Sequence, residues 1–172
     1  MKRSYSINPR RTPRVIKKSR TAGLDVQTKG FVQEHAGQSG DNSVSIILTP
    51  PVSAGLGDFY FLGTVGKFRS DGCGTIRVTI VTCLTTDENV FSSHNYYAPI
   101  DTKRFRVHYD RLSHQDDYRK GMQEWSNKTK LLVKRSANGV VTHNKPIMVI
   151  SWWAPNATNK VFTGVDVNWA DK

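Results

Sequence analysis

The chain has 172 residues, 37% of them hydrophobic, and a formal net charge of +11. That length suits one domain with a hydrophobic core of its own. Two cysteines, Cys73 and Cys83, are too few for a disulfide framework or a cysteine zinc site. No apolar run is long enough to span a bilayer, and no apolar h-region opens the chain, so neither a membrane span nor a secretory signal is expected.

The charge is uneven. Lys2, Arg3, Arg10, Arg11, Arg14, Lys17, Lys18 and Arg20 all precede the first acid, Asp25, and leave only +3 for the rest of the chain. Pro9 and Pro13 disfavour a regular helix there. With so little apolar bulk, residues 1–22 are expected to form a disordered arm until they bind a partner. A balanced body with a basic tail points to a polyanion. The arm lacks apolar residues to insert into a bilayer and a Gly at position 2 for acylation, which disfavours a membrane. Nucleic acid is the expected partner, held by counterion release without regard to sequence. The stretch KKSR, 17–20, also fits a nuclear import signal.

From residue 23 onward the pattern is β. Strands are expected at 24–33, 43–48, 58–68, 75–83, 103–110, 128–135, 146–154 and 160–169. Crowded apolar side chains in TIRVTIVTC, 75–83, mark a strand covered on both faces. In KRFRVHYD, 103–110, alternation puts Phe105, Val107 and Tyr109 on one face, with Arg104, Arg106, His108 and Asp110 on the other. The adjacent Trp152 and Trp153 must face opposite sides, one of them in the core. Eight strands with no sustained helical period predict an all-β, antiparallel sandwich or closed barrel over 23–172. The connections 84–102 and 111–127 are long enough to be functional surfaces. They carry Phe91, Tyr96, Tyr97, Met122 and Trp125. Tyr96, Tyr97 and Trp125 are candidate subunit contacts, the alternative being that they cover the ends of their own sandwich.

No catalytic or metal constellation emerges. The five histidines form no tight ligand pair, and His114, Asp116 and Asp117 read as an exposed polar loop. No cofactor and no enzymatic activity are expected. The sequons at Asn127 and Asn156 read as chance matches.

In its order of elements the chain resembles the single-jelly-roll coat proteins of small circular single-stranded DNA viruses, and more loosely those of satellite RNA viruses. The residues that carry the resemblance are the basic arm, then Lys103, Arg104, Phe105 and Val107 after a long loop, then KTKLLVKR, KPIMVISWWA and a last alternating strand. The resemblance implies an eight-stranded jelly roll. It also implies a homo-oligomeric shell of about 60 copies, with the arms, joined by Arg104 and Arg106, on single-stranded DNA rather than RNA. The virion and the host nucleus would be its locations. Two other readings stay open: an OB-like nucleic-acid-binding barrel with a basic tail, and a jelly-roll enzyme or sugar-binding protein.

Overall fold

The computed structural model describes residues 23–50, 57–84, 97–114 and 123–172. The basic arm lies outside the described residues, as do Phe91, Tyr96, Asp116, Asp117 and Met122. Among the described residues the strands are β1 (Gln27–Ala36), β2 (Gly40–Ile47), β3 (Phe59–Asp71), β4 (Ile76–Cys83), β5 (Phe105–Ser113), β6 (Gln123–Arg135), β7 (Val141–His143), β8 (Lys145–Ala154) and β9 (Lys160–Asp171). No described helix is long and apolar enough to cross a membrane.

The strands form two antiparallel sheets, in the orders β1-β9-β3-β6-β7 and β2-β8-β4-β5. The pairing is nested: β1 lies against β9, β2 against β8, β3 against β6, and β4 against β5. A long hairpin rolled up so that its two arms supply both sheets gives this order, which is the jelly roll. The expected fold class is therefore the observed one, and the OB-like barrel is not. β7 is an addition, a three-residue strand on the edge of the first sheet. The turn after it passes through Asn144, whose φ is 56° and whose amide donates to the Leu132 carbonyl at 2.8 Å.

All the expected strands are present, and the differences lie at their ends. β6 starts at Gln123, so the expected 111–127 loop shrinks to a connection between Ser113 and Gln123. β3 carries a bulge between Phe61 and Gly63. Gly63 sits there at φ +112°, where a side chain would also strike the Asn127 carbonyl. Asn127 in turn accepts from the Thr64 amide at 3.1 Å and from the Thr64 hydroxyl, so the bulge is held from the neighbouring strand.

A second bulge corrects the expected facing of 103–110. Ile80 pairs with Tyr109 but Val81 pairs with Val107, so His108 is the extra residue. One extra residue reverses the facing on its far side. Tyr109 faces the sandwich interior, while Phe105 joins Val81, Cys83, Ile147 and Val149 in a separate cluster, and Val107 is 39% exposed. His108, expected on the wet face, is partly buried against Phe61 and the Thr82 hydroxyl.

The main core lies between the sheets and is built on Phe59, Phe61, Ile80, Trp125, Met148, Trp152 and Trp169. Burial of each large side chain contributes about 1.5–3 kcal/mol. Every residue of β4 is buried, because its second face carries the other cluster, capped by Ile100 from the segment before β5. That matches the expectation of a strand covered on both sides.

Candidate nucleic-acid and assembly surfaces

Antiparallel pairing sorts the connections to two poles. At one pole lie β1–β2, β3–β4, β5–β6 and β8–β9. At the other lie β2–β3, β4–β5, the stretch between β6 and β8, and both ends of the described chain. The arm is rooted at this second pole, because β1 starts at Gln27 opposite Trp169 near the end of β9.

The body arginines expected to bind nucleic acid sit near the same pole. The Arg104 carbonyl accepts from the Leu84 amide at 2.8 Å, and its guanidinium lies 5.2 Å from the Phe105 ring centre. Arg106 is exposed, opposite Thr82. The two flank the start of β5, with Arg104 in the preceding turn rather than on the strand.

A larger basic surface escaped the sequence reading. Trp125 and Val133 of β6 are buried between the sheets, so the even-numbered Lys128, Lys130 and Lys134 face outward and are exposed. The Lys130 ammonium lies 4.9 Å from the centre of the Tyr60 ring on β3. Farther along the face, the Arg69 guanidinium lies 4.8 Å from the Phe162 ring. Basic and aromatic side chains thus interleave on an outer sheet face, a pattern that suits single-strand binding. KTKLLVKR holds the signal in its alternation. Its reading required knowing which face meets the other sheet.

The candidate subunit contacts separate. Tyr97 is 61% exposed, and Tyr96 lies outside the described residues. Trp125 is a correction: at 4% exposure it belongs to the core. Its ring stacks on Tyr109, and its indole N–H donates to the Thr64 hydroxyl at 3.2 Å. It fills the space over Gly66, where a side chain would collide with it. The early start of β6 turns it inward. Exposed apolar residues stand elsewhere. Trp152 is buried while Trp153 is 40% exposed over Gly74, as alternation required. Val32 and Val65 border an open depression of ≈ 570 Å³ on the outer face of the five-stranded sheet.

Arg77 was also missed. It lies within an apolar strand, and such a charge must find a partner. Its Nε and Nη2 donate to the two Asp110 oxygens, both at 2.7 Å, and its Nη1 donates to the Ala98 carbonyl at 2.6 Å. The Thr79 hydroxyl donates to Asp110 at 2.9 Å. Burial pushes the Asp110 carboxyl up, but the hydrogen bonds from Arg77 and Thr79 and the Arg77 charge outweigh it and hold the group below its usual range. The pair straps the segment before β5 across the outer face of the four-stranded sheet. Among the described residues no three of His, Cys, Asp and Glu come together as a metal site.

No family model matches the chain, and no curated protein matches it. Among solved structures it is similar to the decameric BFDV capsid protein, at 10% identity and a TM-score of 0.34, over 86% of this chain and 96% of that one. It is similar to the 60-mer BFDV capsid protein at 10% identity and a TM-score of 0.39, over 87% and 95%. To the infectious bursal disease virus Gt strain the identity is 11% and the TM-score 0.26, over 87% of this chain and 42% of that one. Overlaps at these scores assign no family, so the jelly roll rests on the chain's own strand pairing.

Proposed function

We propose that the chain is a viral coat subunit that closes into a small icosahedral shell and packages single-stranded nucleic acid. The observation that carries this reading is the rooting of the +8 arm at one pole of a filled jelly roll. Arms that all leave from one pole converge when the bodies pack around symmetry axes. About 60 copies would bring about 480 arm charges into one enclosed volume, enough to neutralise a sizeable part of a genome of roughly a thousand nucleotides. The interior between the sheets is occupied by large side chains, which favours a scaffold over a sugar-binding or catalytic jelly roll. Function then lies in the surfaces. The resemblance in element order favours DNA as the cargo, the virion as the final location and the nucleus as the place of assembly, with 17–20 as the import signal.

Electron microscopy of the purified protein tests the reading. Uniform closed shells are expected. Particles no larger than a dimer, at concentrations and salt that permit assembly, would leave a non-assembling nucleic-acid-binding jelly roll in its place. Deletion of residues 1–22 is expected to leave the body folded and its shells poor in nucleic acid, read as a lower 260/280 nm absorbance ratio.

A further inference from the structure

The outer face of the five-stranded sheet has two unlike halves. Toward the β3–β4 pole, Lys67, Arg69 and Lys160 alternate with Glu34, Glu124 and Asp166, and Lys160 is paired with Glu34. Toward the arm's pole the face carries Lys128, Lys130 and Lys134. Between them lie only neutral residues of the outward register, among them Leu132, Asn168 and Ala170. The acids of that pole stand only at its Lys134 end: Asp171 shares the row of Phe59 and Val133, and Asp58 immediately precedes Phe59. Asp58 is 3.6 Å from the Lys172 ammonium, and the Asp171 charge acts on Arg135.

We propose that Tyr60, Lys128, Lys130 and Lys134 form a second site for single-stranded nucleic acid, on the body rather than the arm. The proposal rests on the packaging reading and names where on the body the strand lies. Three features support it. First, outward side chains two residues apart along a strand repeat about every 7 Å. An extended single strand presents its phosphates at a similar interval, so one strand can follow the lysine row. Second, Tyr60 stands beside Lys130 with its ring outward, and a base that stacks on it turns the ammonium toward the phosphates. Stacking on an aromatic ring accepts any base, as packaging requires. Third, the row Gln27, Trp169, Phe61, Leu131 crosses the sheet at this level. The start of β1, five residues after the arm, is therefore about 15 Å from β6, three strand spacings away. A strand gathered by the arm meets the lysine row next.

The test uses the full chain and a fluorescent oligothymidine of roughly 15 nucleotides, long enough to engage the arm as well as the lysine row. Binding is followed by anisotropy between about 50 and 200 mM salt. The triple variant Lys128→Gln, Lys130→Gln, Lys134→Gln keeps the arm and alters only exposed side chains. Its slope of log K against log salt is expected to be shallower by about 2, since each phosphate neutralised on a single strand contributes about 0.7. Tyr60→Leu is expected to weaken binding roughly tenfold with the slope unchanged, since stacking moves no counterion. An unchanged slope and affinity in the triple variant overturns the proposal. So does a silent Tyr60→Leu, or tighter binding of polyglutamate than of oligothymidine, which would assign the face to an acidic protein. Electron microscopy of the wild-type protein keeps the two readings apart. Absent shells with the slope change intact would refute the coat function and leave this site standing.

Discussion

Replacing Arg77 with Met tests the strap across the four-stranded sheet. The change removes both hydrogen bonds of the bidentate contact to Asp110 and the donor to the Ala98 carbonyl. Breaking a buried ion pair by removing one partner costs about 3–5 kcal/mol, because the other charge stays buried. The Arg77 side chain is 10% exposed, but that of Asp110 is 31% exposed, so water recovers part of the loss. Thr79 still donates to the carboxylate. A destabilisation of about 2–3 kcal/mol is expected, and at this chain length a fall of roughly 4–12 °C in Tm. Adding Asp110→Leu should restore most of it, since an apolar pair of similar volume is often neutral. Urea unfolding of the unassembled subunit measures both changes, and hydrogen exchange at residues 97–104 reports whether the strap opens. If the double variant were as unstable as Arg77→Met alone, the cost would arise from lost packing, and the account of a stranded charge would be refuted.

The bulge at His108 predicts that Val107→Asp stays folded and loses less than about 1 kcal/mol, as exposed positions do, whereas Phe105→Ala loses about 3–5 kcal/mol; thermal melts compare them. Trp125→Ala is expected to unfold the subunit by about 3–5 kcal/mol rather than merely loosen shells, so soluble variant protein with wild-type stability and defective assembly would return Trp125 to an interface. His35 and His108 give the subunit a pH dependence. Burial lowers both from 6.5, and for His108 the Arg106 charge lowers it further. Their stabilising neutral forms are complete above about pH 6.5. As pH falls below that value the unfolded chain takes up protons first, and stability declines by up to about 1.4 kcal/mol per pH unit for each histidine. Melts from neutral to mildly acidic pH should show the decline, and His35→Gln with His108→Gln should flatten it. Asp110, with its carboxyl held below 3.8, contributes stability that is lost only at lower pH.

Much of this molecule is local physics and could be read from residue order. Alternation located all the long strands, because a half-buried strand must repeat every two residues. The unbroken apolar run of β4 revealed cover on both faces, and adjacent tryptophans had to point apart. The arm's charge is a matter of composition. Other features depended on partners distant in the chain. The bulge at His108 adds one residue to β5 relative to β4, and nothing in KRFRVHYD marks it, yet it reverses Phe105 and Val107. The start of β6 was hidden within the expected 111–127 connection, so Trp125 stood as a candidate surface contact when pairing with β3 turns it into the core. Arg77 finds its carboxylate 33 residues away. Alternation separated the lysines of β6 from Trp125 and Val133 but could not say which set would face water. That choice belongs to the second sheet, which covers whichever face buries the larger apolar surface and leaves the lysines outside, at the pole where the arm begins.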